Sequence, residues 1–552
     1  MATSAEILAG FLAEAGVRRL YGVPGDGSGL DLIEAARRQG LSFVASHRAA
    51  AAAFMAATEG DLSGLPGVCL VPPGAAGASV VGGVAQAFLD RLPLILFTPR
   101  PRRASLRLNP QPSLNHLQLF QAVTRDRAAV TAARAERLVR WAWDKALALP
   151  RGPIHLDLPA DEAGRAARKR GLQPTGPVRS DPSASAIRSA ARILTQGGRG
   201  RAVVVAGLGC REAPAARALR ELVEHLGAPV LTTYRAKGVI PEDHPLAAGA
   251  FSGARLEEEL LGMADAVLAA GVDPGEVLPR PWSISAPVVS LAECSLGPGP
   301  FEAAGQVVAD LPASLVALRE ALPPAGEWGL ANWARRGGEF RLRARSLLAD
   351  AWKSRGGSGL PPHRVVEIAR EVFPRGTVAA VDGGAHAPVV ATFWNSHEPK
   401  SYLCSTAPGA IGCALPAAIA AKLVAPSRPA VVFVGDGGFL ISLPDVATAV
   451  LLGIAIVVIV FVDGSRTLVR VAQEQRRYAL AGVPLGTADI PRLAEGFGAL
   501  AIEVAEEAPL RSALEDALAA AKPAIIAVRV RPQGYRRMYE ILRGKPTASN
   551  PD

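Results

Sequence analysis

Cysteine is scarce and never paired in sequence. Cys69, Cys210, Cys294, Cys404 and Cys413 are scattered over 552 residues, with no CxxC and no histidine cluster beside them. That spacing excludes a disulfide framework and a Cys/His zinc centre, and it predicts a reducing, cytoplasmic setting. No long basic run interleaved with aromatics is present, so the net charge of +10 concerns solubility and weak association rather than nucleic acid. The opening MATSAEILAGFLAEAG lacks a basic n-region and a long apolar core. It predicts an amphipathic helix capped by Thr3 or Ser4, and no export signal. No GxxxxGK[ST] loop or Ser/His/Asp arrangement occurs, and Ala206-Gly207-Leu208-Gly209 breaks the spacing of a dinucleotide fingerprint, which sets aside an NAD(P) oxidoreductase. One apolar run, Val446 to Val462, approaches the roughly 18 residues a bilayer requires. Its Ala/Leu half, the break at Gly453 and its β-branched end predict helix, turn and buried strand, and no membrane span.

What the chain does have is apolar substance: 49% hydrophobic and 20% charged residues, with a mean hydropathy of +0.21. At this length that predicts two to four globular domains. Strand-like runs alternate with helical patterns: Leu20 to Val23, Ser42 to Val44, Gly67 to Val71, Leu94 to Thr98 and Ile154 to Leu158. After a Pro/Ser passage, Gln173 to Ser185, a second series covers Arg201 to Gly209, Ala228 to Tyr234, Ala266 to Pro274 and Pro287 to Glu293. A polar, Gly-rich passage near Trp328 to Gly359 reads as a second linker. A third series follows at Val378 to Val381, Ala430 to Val434, Ile454 to Val462 and Ala524 to Val530. The alternation implies an α/β chain of three doubly wound parallel-sheet domains, 1–172, 186–325 and 356–533. A basic tail, 534–552, is expected to form a helix (Tyr535 to Leu542) and then become disordered.

The strongest local signal is the buried strand that runs into Gly435-Asp436-Gly437-Gly438 and a helix start. Glycines there let backbone approach a phosphate, helix amides favour negative charge, and Asp436 can hold a divalent cation. Asp463 ends the next buried strand, one helix and one strand later. Both acids therefore fall on the carboxyl edge of one sheet, where open α/β folds bind ligands. Asp-Gly is also ordinary turn chemistry, so the pairing of the acids carries more than the tripeptide.

These motifs resemble the thiamine diphosphate-dependent enzymes of the acetolactate synthase, benzoylformate decarboxylase and pyruvate decarboxylase group, over nearly the whole chain. The resemblance implies a pyrimidine-binding, a central and a diphosphate-binding domain in that order. It implies thiamine diphosphate and Mg²⁺ as cofactors, with Asp436, Asp463 and the carbonyl of Ser465 on the metal and Gly435, Gly437 and Gly438 at the diphosphate. The family usually has Asn-Asn where this chain has Val462-Asp463. Thr406-Ala407-Pro408-Gly409-Ala410-Ile411 resembles the segment on which the bent cofactor rests, which implies Gly409 and Ile411 as contacts. Tyr21-Gly22-Val23-Pro24 and Val71-Pro72-Pro73 resemble the pyrimidine-side turns, which implies Pro24 and Pro73. The family would act on a 2-oxo acid or aldehyde as a carboligase or decarboxylase, from a homodimer or a dimer of dimers (a homotetramer) with active sites shared between subunits. Flavin is not expected.

The informative departure lies in Phe43-VASHRAAAAAFMA. Matched to the family, it puts Ala49 where a glutamate normally hydrogen-bonds the aminopyrimidine and Arg48 just before it. A methyl group cannot accept a proton, so the usual activation route is missing. His47, Asn115, His116, Gln111 and His386 remain as polar candidates near the substrate, and Arg466 and Arg470 as partners for a carboxylate. Each of these also has an ordinary reading as cap, surface or core residue. The same losses support a second reading, a weakened homologue that serves as a binding or regulatory subunit.

Overall fold

The computed structural model describes residues 2–102, 105, 114–176, 179–196, 200–324, 331–353, 357–486 and 488–544. Gln111 and the expected disorder at the end of the tail lie outside the described residues.

Among the described residues, eighteen strands form three six-stranded parallel sheets. The first contains Arg19–Gly22 (β1), Ser42–Ala45 (β2), Gly67–Leu70 (β3), Leu94–Arg100 (β4), Asp126–Ala129 (β5) and Pro153–Pro159 (β6), ordered β2-β1-β3-β4-β6-β5. The second contains Ala202–Ala206 (β7), Val230–Thr233 (β8), Ala247–Phe251 (β9), Ala266–Ala270 (β10), Val288–Ala292 (β11) and Ala303–Val308 (β12), ordered β12-β11-β10-β7-β8-β9. The third contains Val378–Val381 (β13), Tyr402–Cys404 (β14), Ala430–Gly435 (β15), Val457–Val462 (β16), Leu500–Val504 (β17) and Ala524–Arg529 (β18), ordered β14-β13-β15-β16-β18-β17. Numbered within themselves, the first and third sheets thus share one order, 2-1-3-4-6-5. In both, the winding reverses between the first and third strands, and such a reversal opens a crevice at the strand carboxyl ends. The central strands are β-branched and buried on both faces: Val431, Val432 and Phe433 of β15, and Val458, Ile459 and Val460 of β16, are all 0% exposed.

By contact density the chain divides into two compact units: 1–178 with 407–427 and 442–454, and 179–406 with 428–441 and 455–552. The first holds the first sheet, and the second holds the other two. The N-terminal helix, Ser4–Glu14, opens on a capping box: Thr3 Oγ1 accepts from Glu6 N (3.2 Å), and Thr3 N donates to Glu6 Oε2 (2.8 Å). The run from 446 to 462 resolves into the end of helix Asp436–Leu451, a turn at Gly453 (φ +62°) and β16. Helix Tyr535–Arg543 forms where the basic tail was expected to be helical.

The second linker is a correction. Much of that polar passage is a nineteen-residue helix, Ala331–Ala349. Its polar surface conceals a buried stripe of Trp333, Phe340 and Leu348 at helical spacing. Gly337, which reads as a breaker, sits where a Cβ would lie 2.9 Å from Pro229 Cβ, so its missing side chain permits close packing. No helix among the described residues is long and apolar enough to cross a membrane, and the five cysteines are free of disulfides.

Candidate cofactor and metal site

Begin at the reversal point of the third sheet. β13 and β15 run side by side to their ends, where Asp382 N donates to Phe433 O (2.9 Å). Helix Asp436–Leu451 starts directly on the end of β15. A Cβ on Gly438 would stand 2.4 Å from Asp382 Oδ2, so only glycine lets this first turn settle against the neighbouring strand end.

Asp436 is 7% exposed. Its Oδ1 accepts from Gly437 N (2.8 Å), and its Oδ2 accepts from Gly464 N (2.7 Å) and Asp463 N (3.2 Å). Those bonds tie the end of β15 to the turn after β16. Asp463 Oδ1 accepts from Ser465 N (3.0 Å), and Oδ2 accepts from Thr467 Oγ1 (2.7 Å) at the start of helix Thr467–Gln475. The turn is pinned from outside as well: Arg466 N donates to Val483 O (2.9 Å) and Leu485 N to Gly464 O (3.1 Å).

Burial raises the pKa of Asp436 above the usual carboxylate range. Asp463 is pushed up to about 6, first by burial and then by the charge of Asp436. Two partly desolvated acids that repel one another, each with lone pairs to spare, suit a divalent cation that would offset both charges. Ser465 adds a backbone carbonyl by position, and its Oγ is a shielded polar atom without a hydrogen-bond partner. The donor set therefore fits Mg²⁺ between protein and diphosphate. Among the described residues no three His, Cys, Asp or Glu side chains converge as a self-sufficient metal cage.

His386 lies under the same edge, 3% exposed and stacked on Phe461 with ring centroids 5.2 Å apart and planes at 19°. The ring hydrogen-bonds the backbone of Phe433 and Asp382, and burial holds its pKa down to about 4. Nε2 is shielded and unpartnered, so at neutral pH the ring is uncharged.

The equivalent reversal in the first sheet lies between β1 and β3. Val23 N donates to Leu70 O (3.2 Å). A Cβ on Gly25 would lie 3.1 Å from Pro72, which sets the exposed Pro24 turn against the half-buried Pro73 turn. His116 Nε2 accepts from Gly74 N (3.1 Å) and so serves the turn after Pro73. Asn115 is an exposed helix cap whose Oδ1 accepts from Gln118 N (3.2 Å).

Ala49, 7% exposed, is the first residue of helix Ala49–Ser63. The alanine run has a packing reason, because helix Val81–Leu89 approaches so closely that a Cβ on Gly83 would meet Ala50 O at 2.6 Å. The two polar residues before Ala49 are engaged. His47 Nδ1 is 3.1 Å from Thr448 Oγ1. Arg48 pairs with both oxygens of Asp445 (Nε, 3.2 Å each), and its Nη2 donates to Gly412 O (3.0 Å). Asp445 is 1% exposed, and burial lifts its pKa to about 6 against the pull of Arg48. Asp445 and Thr448 were missed in the sequence, although a lone acid after Pro444 inside an apolar helix is itself a signal of a buried partner. Thr467 was missed too, and its spacing from Asp463 is that of an ordinary cap.

Ile411 is 43% exposed, between Gly409 (φ +75°) and Gly412 (φ +77°). A core residue would be covered, so packing does not account for a large apolar side chain there. Arg466 is spent on the carbonyl of Gly482 (2.8 Å).

Three family models match the chain: the N-terminal thiamine pyrophosphate binding domain over residues 2–122, the central domain of thiamine pyrophosphate enzymes over 187–293, and the C-terminal thiamine pyrophosphate binding domain over 382–528. Acetolactate synthase of Bacillus subtilis is 27% identical over 95% of this chain and 93% of its own length. The probable 2-ketoarginine decarboxylase AruI of Pseudomonas aeruginosa is 30% identical over 81% of this chain and 79% of its own. Sulfoacetaldehyde acetyltransferase of Alcaligenes xylosoxydans xylosoxydans is 26% identical, over 81% and 78%. Matched in all three of its domains, the chain is a member of the thiamine pyrophosphate enzyme family, a thiamine diphosphate-dependent lyase or transferase of the acetolactate synthase type.

Proposed function

We propose that the protein is a carboligase or decarboxylase acting on a 2-oxo acid or aldehyde, with cofactor activation that does not use the usual carboxylate. The observation that carries this reading is the Asp436–Asp463 pair, buried, mutually repelling and held by backbone amides at a sheet reversal. Bound thiamine diphosphate supplies a carbanion centre and an electron sink for breaking or making a carbon–carbon bond. Asp436, Asp463 and the Ser465 carbonyl hold Mg²⁺, and the glycines at 435, 437 and 438 let backbone approach the diphosphate. Ile411 and Gly409 would support the cofactor, and the Pro24 and Pro73 turns would border its pyrimidine. His386 offers a neutral acceptor, because its ring stays deprotonated above about pH 4. His47 and Asn115 contribute by fixing backbone, in view of their bonds to Thr448 and Gln118.

Domain limits at 172, 186, 325, 356 and 533, a homodimer or dimer of dimers with shared active sites, and a cytoplasmic location complete the proposal. So does the absence of flavin. At the reversal of the central sheet, between β7 and β10, Glu276 already accepts from Leu208 N (2.7 Å) and Asp273 N (3.1 Å), amides that a nucleotide phosphate would require.

The second reading, a binding or regulatory subunit, is favoured by one observation: Ala49 brings no proton acceptor, and Arg48 beside it is already tied to Asp445. Product analysis by mass spectrometry separates the two. Incubation with a panel of 2-oxo acids and aldehydes should give carbon dioxide or a ligated product that needs thiamine diphosphate and disappears in Asp436→Ala. Cofactor binding without product from any of them would favour the regulatory reading.

A further inference from the structure

A second cluster of cations includes Arg470, which the sequence offers as a partner for a carboxylate and whose charge reaches Asp463. Helix Thr467–Gln475 and helix Tyr535–Arg543 border an open surface cleft of about 500 Å³, lined by Arg470, Glu474, Gln533, Arg536, Arg537 and Glu540. The volume falls within the range of small-molecule sites. Three arginines face two glutamates, and their pairing is loose: Arg470 Nε to Glu474 Oε1 is 3.7 Å, Arg536 Nε to Glu540 Oε1 3.3 Å, and Arg537 Nη1 to Glu540 Oε2 3.5 Å. Arg470 Nε is shielded from solvent and has no hydrogen-bond partner. A guanidinium donor in that condition is unsatisfied, which is uncommon for a buried polar atom.

The placement of Arg536 and Arg537 points the same way. Both stand in the first turn of helix Tyr535–Arg543, which has no acidic residue there. Cations at a helix N-terminus oppose the helix dipole and so weaken the helix they stand on. The start of their helix is anchored: Trp352 Nε1 donates to Arg531 O (2.8 Å), and Tyr535 packs edge-on against Trp352 with centroids 5.3 Å apart. Two half-exposed arginines placed where they weaken their own helix, facing an incompletely paired third, are disposed toward an anion rather than toward stability.

We infer that this cleft binds a small oxyanion-bearing molecule, a phosphate or phosphate monoester, through Arg470, Arg536 and Arg537, whose planar donor forks suit bidentate capture of such a group. Three arginines against two glutamates leave one positive charge, which admits a small oxyanion of low charge and disfavours polyphosphates, which Glu474 and Glu540 would repel. None of these residues has been assigned to metal or cofactor, but Arg470 lies near enough to lower the pKa of Asp463, so the test is run with and without the cofactor.

The test is calorimetric titration of the full chain with inorganic phosphate, with and without thiamine diphosphate and Mg²⁺. Saturable binding is expected under both conditions, weakened about tenfold or more in Arg536→Gln/Arg537→Gln. It should be strengthened in Glu540→Gln, which removes the internal competitor. The arginine variant should melt at the same temperature as the parent or slightly higher, because charges that oppose the dipole are gone. A structural role for the two arginines predicts the opposite shift, a lower melting temperature with phosphate binding unchanged, and that result would overturn the proposal. Absence of saturable binding to the parent, or binding that vanishes when thiamine diphosphate is present, would overturn it equally.

Discussion

The first and third sheets share one strand order, yet the chemistry beyond their strand ends differs. At the end of β15 and β16 the chain concentrates charge: Asp436 and Asp463 are desolvated, repel each other, and keep lone pairs beyond those used by backbone amides. Around the start of helix Ala49–Ser63 it does the reverse. Alanines replace polar groups, and the remaining cation, Arg48, closes on Asp445 and Gly412. One edge is built to receive charge from outside, and the other has satisfied its charge internally. A backbone topology is therefore a poor guide to what a site does, because strand order is kept while the side chains at the strand ends are free to change.

Breaking the internally satisfied region should have the largest effect. Arg48→Ala leaves Asp445 buried without its partner and should destabilise the fold by about 3 kcal/mol at pH 8, read by chemical denaturation. Asp445 titrates near 6 in the folded chain, above the roughly 3.9 of an unfolded carboxylate. The folded state therefore holds this proton more tightly. The group's contribution to stability falls as pH rises from about 4 to 6 and is level above, so the Arg48→Ala deficit should shrink at pH 5. A deficit independent of pH would show that Asp445 is not the group left exposed.

Giving the pyrimidine side the carboxylate it lacks should blur the comparison. Ala49→Glu is expected to accelerate exchange of the thiazolium C2 proton of bound cofactor about tenfold, measured by NMR in deuterated buffer. No acceleration would mean that activation in the parent is not limited by the missing acceptor. On the charged edge, Asp463→Asn should remove a pH dependence. Mg²⁺-supported binding in the parent should weaken as pH falls through about 6, where a proton would compete for Asp463, and the variant's binding should stay level between pH 5 and 8. The smallest effect belongs to Ile411→Ala. Because the side chain is 43% exposed, stability should change by less than about 0.5 kcal/mol, while thiamine diphosphate binds more weakly. A large loss of stability would return Ile411 to the core.

Much of this was legible in the sequence. Every interior strand of the three sheets stands out as an apolar run, because a parallel sheet covered on both faces demands one. The strands that do not stand out are β5, β9, β12, β14 and β17, and each is an edge strand. β17, for instance, leaves Leu500 and Ile502 exposed, so its pattern is weak. Helix Ala331–Ala349 was concealed by its charged surface and Gly337. Asp436 and Asp463 could be read because their backbone position follows from strand and helix lengths. The Arg48–Asp445 pair could not, because it joins residues remote in sequence through packing that no local pattern encodes.

The most direct measurement is calorimetric titration of the metal-stripped protein with thiamine diphosphate, with and without Mg²⁺, repeated on Asp436→Ala. The account predicts tight binding only when both Mg²⁺ and Asp436 are present. Binding of equal strength without the metal or without Asp436, or none at millimolar cofactor, would contradict the claim that the paired acids hold the metal and diphosphate.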